Sequence, residues 1–171
     1  FAMSEEGKYA DARALVEDAL EVRRRLGPRS PVALSLNTLA LLEVHEGNHA
    51  KACDLSRRAL AIFRALNDER GIGLALIALS EATRRSVDGI SSAQFEARVA
   101  LLRTARDHAR EAVEIFERLD EKIRQAEALL EVGCACRDWV GQIKKRQSLV
   151  DPTKALIEES RTALWDAYHI A

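Results

Sequence analysis

Three residues in one stretch of this chain have the types and spacing of metal ligands. His45, His49 and Cys53 recur every four positions, which on one continuous helix would stack two imidazoles and a thiolate on a single face, as a zinc site needs. Gly47-Asn48 falls between them, and that pair ends a helix rather than continuing one, so no metal is expected there. Cys134 and Cys136 lie two apart, which on a helix sets them about 200° around the axis from each other, the wrong geometry for a shared metal. Asp107-His108 pairs a carboxylate with an imidazole but has no nucleophile near it in sequence. Neither the G-x-x-x-x-G-K-[ST] nor the G-x-G-x-x-G phosphate loop occurs. The expectation is therefore no catalytic residue, no metal, no cofactor and no enzyme.

Charge narrows the partner class. The chain balances 26 basic against 27 acidic residues, a formal net charge of −1, which excludes a dominant phosphate-binding face. Arg23-Arg24-Arg25 follows Glu17, Asp18 and Glu21 and reads as a solvated helix face laced by i,i+4 pairs. Lys144-Lys145-Arg146 ends a long helical stretch, where cations suit the helix dipole. No aromatic platform accompanies either run, so nucleic acid is not the expected partner. The longest uncharged run, Ser30 to Leu42, has 13 residues, too few to span a bilayer. Three cysteines, two of them nearly adjacent, fit a reducing cytoplasm better than a disulfide framework.

The elements that carry these residues are helices. Ala, Glu, Lys, Leu and Arg make 93 of 171 residues, a level associated with long helices, while three prolines and eight glycines are too few to punctuate a many-stranded fold. Apolar residues at a 3.6 period predict helices over 4–26, 31–45, 48–66, 69–87, 91–119, 121–148 and 152–170. Gly47 is expected to end the second of these, and Pro28 and Pro31 to punctuate the link before it. Residues 1–3 read as an appended remnant, and 4–171 as one domain of a larger protein.

The helices repeat. Gly7-Lys8-Tyr9-Ala10-Asp11-Ala12 recurs 40 positions on as Gly47-Asn48-His49-Ala50-Lys51-Ala52. Arg58-Ala59-Leu60-Ala61-Ile62-Phe63-Arg64-Ala65-Leu66 recurs 53 positions on as Glu111-Ala112-Val113-Glu114-Ile115-Phe116-Glu117-Arg118-Leu119. Asn37-Thr38-Leu39-Ala40 obeys both steps, matching Ile77-Ala78-Leu79-Ser80 and then Leu130-Glu131-Val132-Gly133. Independent strings shifting in a common register mark two-helix units, which bury their apolar stripes by stacking. Ala12, Ala19, Ala52, Ala59, Ala105 and Ala112 sit seven apart within each second helix, where small side chains admit a close neighbour.

Leu36-x2-Leu39-Ala40 and Leu129-x2-Val132-Gly133 stand at the W-x2-L-G positions of a tetratricopeptide unit, and Ala52, Ser56 and Ala59 at its small second-helix positions. The chain thus resembles the tetratricopeptide repeat family. It departs in lacking the opening Trp, in carrying Glu43 where the first helix has Tyr, and in its longer period. The longer period is similar to the repeats of kinesin light chains and of bacterial STAND-class signalling ATPases and regulators. The string Phe63 to Leu76 resembles the bacterial class in particular. The resemblance implies an all-α, right-handed solenoid of antiparallel helix pairs, about three and a half repeats long, with two elongated helices near its C-terminal end.

In that family the first helices of each unit line the concave face. Carried over position by position, this implies a ligand groove of Leu34, Asn37, Leu41 and His45 in one unit, Ile77, Glu81, Arg84 and Arg85 in the next, and Leu130, Cys134, Arg137 and Asp138 in the last. Arg84, Arg85 and Arg137 would grip a carboxylate or phosphate, unless Glu81 and Asp138 already answer them. The implied function is a protein- or peptide-binding scaffold or sensor module of a cytoplasmic bacterial signalling protein. The alternative is a small-molecule effector-binding sensor domain.

The step of 53 adds 13 residues to one unit. They lengthen the start of the helix over 91–119; the end of the helix over 121–148 is longer too, with 18 residues from Gly133 to Asp151 against 7 from Ala40 to Gly47, and the two extensions meet on one edge of the stack. The two extensions are expected to pair as an antiparallel arm of about 15–17 Å, with Phe95, Val99 and Leu102 facing Trp139, Val140 and Ile143. The arm reads either as an extended core or as a docking or dimer contact.

Overall fold

The computed structural model describes residues 2–25, 30–145 and 152–170. Its regular structure there is entirely helical: α1 (Ala2–Arg25), α2 (Ser30–His45), α3 (His49–Ala65), α4 (Glu69–Ser86), α5 (Phe95–Arg118), α6 (Lys122–Lys145) and α7 (Pro152–Ile170), with a single 3-10 turn at Val87–Gly89 before α5. The expected bounds of α2, α3, α4 and α7 hold to within one residue. The start of α5 does not: it opens at Phe95 rather than 91, because Ile90 is extended and Ser91–Gln94 forms its own hydrogen-bonded turn. Pro28, Arg146 and the expected last residues of α6 lie outside the described residues.

Helices end the same way three times. Gly47, Asn67 and Asp120 all take the left-handed conformation, with φ of 80°, 51° and 56°. In each case the next amide donates back to a carbonyl five residues earlier: Asn48 to Glu43, Asp68 to Phe63, and Glu121 to Phe116, at 2.8–3.0 Å. These are Schellman closures, which satisfy the last carbonyls of the helix and turn the chain sharply into the next one. Asn67 and Asp120 are 53 apart, so the turn geometry keeps the register of the sequence repeat.

The result is an all-α helical repeat solenoid. Each helix packs on the next, and α4 also touches α2 and α6, whereas among the described residues α3, α5 and α7 reach one another only through long side chains, as in the Arg64–Glu111 and Arg110–Glu159 ion pairs. The first-helix layer is therefore the tighter one and forms the inside of the curve. Close approach depends on small residues. Ala52, Ala59, Ala105 and Ala112 are wholly buried. A Cβ on Gly71 would lie 2.1 Å from the Phe63 ring, and one on Gly73 would lie 2.6 Å from the Phe116 ring. Phe63 and Phe116, repeat equivalents on α3 and α5, thus stand against α4 from its two sides. Buried hydroxyls also stitch neighbouring helices: Ser80 donates to the Ala105 carbonyl at 2.8 Å and Ser160 to that of Gly133 at 2.9 Å.

The two long extensions pair as expected. Leu102, Trp139, Val140 and Ile143 are buried in one apolar cluster, with Phe95 and Val99 packed against it. Their apolar faces meet each other, which is the extended-core arrangement. Arg103 and Arg106 lie 5.4 and 5.2 Å from the centre of the Trp139 ring and cover its outer face with cations.

The alanine register makes a direct prediction. Ala59→Leu should destabilise the fold by about 1–3 kcal/mol through overpacking. Ala61→Leu, on the exposed side of the same helix, should stay within about 0.5 kcal/mol of the parent. Thermal unfolding of the two variants checks this, and equal melting would break the alignment.

Candidate functional site

The inner layer carries every residue expected in the groove, but in different states. Leu34, Leu41 and Leu130 are 41%, 37% and 46% exposed, and Ile77 is half-buried beside them in register. Exposed leucines thus stand on α2 and α6, with the half-buried Ile77 of α4 in the layer between them. His45 is exposed at the end of α2 and Cys134 is half-buried on α6. Asn37 is a correction: it is only 8% exposed, although Ile77 and Leu130 hold the same register position and are more open, because α2 is packed against α1, α3 and α4 at once. It does not offer its amide to a ligand.

The arginines are brought together, and acids answer them. Arg84 bridges α4 to α6, with Nε 3.2 Å from Glu131 and Nη1 3.0 Å from Asp138. Its side chain is 10% exposed. Arg85 binds Glu81 at 2.9 Å within α4, and Arg137 binds Asp138 at 3.2 Å within α6. Burial pushes the Glu131 carboxyl up against the opposing pull of Arg84. Burial likewise pushes up the Cys134 thiol, which holds it in the unreactive neutral form. Arg84, Arg85, Arg137 and Asp138 line a cleft of about 330 Å³ together with Leu102 and Gln142. Leu34, Leu41 and His45 are not part of it. Arg84 is consequently a clip between helices, while the outer guanidinium edges of Arg85 and Arg137 stay open.

Glu131 is the residue that sequence reasoning missed in this cluster. Its spacing of seven from Asp138 places both acids on one face of α6, so the signal was present. The other missed residue is Glu43, which stood out only as a departure from the repeat pattern. Its side chain is wholly buried and accepts from Arg13 of α1, from Asn48 Nδ2 at 2.8 Å and from Lys51 Nζ at 2.6 Å. Burial pushes this carboxyl up, but the hydrogen bonds from Arg13, Lys51 and Asn48 outweigh it and hold it at about 2. A permanent buried anion therefore ties α1, α2 and α3 together where the family pattern places a Tyr ring.

The chemical candidates separate in space. Gly47 breaks the helix between His45 and His49, and Cys53 faces α4, with its sulfur 3.8 Å from Thr83 Oγ1. Asp107 is held by Arg106 at 2.9 Å, and burial lowers the basicity of His108. Among the described residues no group of three or more His, Cys, Asp and Glu is placed to hold a metal. No described helix is long and apolar enough to cross a membrane.

A sequence model described as tetratricopeptide repeat matches residues 1–65, the span of α1 to α3. No curated protein matches the chain.

Proposed function

We propose that the inner face of α2, α4 and α6 is a docking groove for a protein or peptide segment. The observation that carries this reading is the exposure of the large apolar side chains Leu34, Leu41 and Leu130 on the inner layer. The matched repeat family supports it, since tetratricopeptide repeats generally mediate protein–protein interaction. Such a surface binds by burying apolar side chains of the partner. The resemblance of Phe63 to Leu76 to bacterial STAND-class repeats supports placing the module, as sensor or scaffold, in a cytoplasmic bacterial signalling protein.

The cleft of about 330 Å³ around Arg84, Arg85 and Arg137 favours a second reading, a small anionic effector held there. Peptide display against the chain separates the two. A selected peptide should lose about tenfold in affinity on Leu41→Asp with Leu130→Asp, and should be indifferent to Arg85→Ala with Arg137→Ala if it does not reach the cleft. If panning selects no saturable peptide while a sugar, nucleotide or carboxylate metabolite raises the melting temperature, the effector reading replaces the docking reading.

A further inference from the structure

α7 packs on α6 and reaches α5 through the ion pairs of Glu159 with Arg106 and Arg110. Its remaining side meets no helix among the described residues. Large side chains stand open there: Ile157 is 44% exposed, Leu164 38%, Trp165 64% and Tyr168 81%. Ile157, Arg161, Leu164 and Tyr168 fall within about a sixth of the helix circumference at 3.6 residues per turn. They form one stripe, and Trp165 borders it.

The repeat shows what this face does on the neighbouring helix. Ser80 and Gly133, one step of 53 apart, each bond across to the following helix, Ser80 to Ala105 and Gly133 to Ser160. From Ala105 to Ser160 the step is 55, so Ile157, Leu164 and Tyr168 of α7 answer to Leu102, Ala109 and Val113 of α5. On α5 these positions are taken up by α6: Leu102 and Ala109 are at most 1% exposed in the cluster they share with it, and Val113 packs against that cluster. On α7 the same face is bare and two of its side chains are larger. Leu164 in place of Ala109 and Tyr168 in place of Val113 do not permit the close approach that small residues give repeat helices. They suit a helix that interdigitates side chain by side chain at ordinary separation.

The stripe is complementary to itself. Ile157 and Tyr168 form the outer pair, and Arg161 and Leu164 the inner pair, about one midpoint. An antiparallel two-fold axis through that midpoint lays Ile157 on Tyr168 of a second copy, and Leu164 on the aliphatic stem of Arg161. Arg161 is already paired with Glu158 of its own chain, so the two copies do not bring bare like charges together. The elongated ends of α5 and α6 offer no rival surface, because their apolar faces are closed on each other.

We infer that this stripe is a self-docking surface, on which two copies of the chain pair through antiparallel α7 helices. One helix face per copy is small for an interface, so the dimer is weak, with a dissociation constant in the micromolar range. The surface shares no residue with the inner layer of α2, α4 and α6 and does not rest on its reading as a groove.

Sedimentation velocity across the micromolar range tests it. The sedimentation coefficient should rise with concentration and level off at the dimer. Ile157→Asp with Tyr168→Asp should raise the dissociation constant at least tenfold; if that pair melts early, Tyr168→Asp alone, at the most exposed position of the stripe, should still raise it. Leu15→Asp with Val22→Asp, on the exposed side of α1, should change nothing. Cysteine crosslinking reads the direction of the pair. Ile157→Cys mixed with Tyr168→Cys should form a disulfide-linked dimer on oxidation. Neither variant alone should do so, since like positions then stand about 16 Å apart along the axis. A monomer at every concentration, an unchanged dissociation constant in both α7 variants, dissociation by the α1 variant, growth beyond the dimer, or crosslinking of like positions would each overturn the assignment.

Discussion

Phe63→Ala and Phe116→Ala should each lower the unfolding free energy by about 3–5 kcal/mol, the range for emptying a well-packed aromatic site. Both rings are wholly buried, and each lies against a glycine of α4. Those glycines leave room for no side chain beside the rings, so α4 cannot fill the vacated space without moving the whole helix. The loss should be large at both positions because repeat equivalence gives them the same role on opposite sides of one helix. Urea unfolding measures it. A loss below about 1 kcal/mol at either ring would mean that the site collapses freely, and the account of α4 as a tightly gripped central helix would fail.

Glu43→Gln should have the second large effect, and its size should depend on pH. The carboxyl is held at about 2 against a reference of 4.5, so the folded state prefers the anion. The stabilisation is complete above the unfolded value, shrinks as the pH falls below it, and is gone at the folded value. The difference corresponds to about 3 kcal/mol. The other carboxylates titrate in both proteins and cancel. Glu43→Gln should therefore be much less stable than the parent near neutral pH, and the gap should narrow as pH falls toward about 2. Urea midpoints across that range test it, and two parallel pH profiles would contradict the buried-anion account. Arg13→Ala should reproduce part of the loss, because Lys51 and Asn48 remain to hold the charge.

How much of this was legible in the sequence depended on whether a feature is local. Apolar period and alanine spacing located the helices, and the paired extensions followed from the step of 53 and from the distance between Gly133 and Asp151, because these are properties of a single helix or of register. The left-handed residue at Gly47 was readable because glycine favours that conformation. Asn67 and Asp120 were not, although they close their helices identically, since Asn and Asp adopt it only when the surrounding turn demands it. Glu43 looked like a defect in the pattern. Its meaning required Arg13 from another helix, thirty positions away. The expected groove residues all fall on α2, α4 and α6, but register alone does not say which side chains are covered by neighbouring helices, so the burial of Asn37 and the capture of Arg84 by Glu131 emerged only with the helices side by side. The open face of α7 needed the register of α5 and could not be read from α7 alone.

The central claim is that α2, α4 and α6 form the docking surface, and amide chemical-shift mapping tests it most directly. A peptide selected by display is titrated into isotope-labelled protein. The predicted result is a contiguous band of perturbed amides on the inner layer, around Leu34, Leu41, Ile77 and Leu130, and none of comparable size on α3. Perturbations confined to α3 and α5, with the inner layer silent, would contradict it.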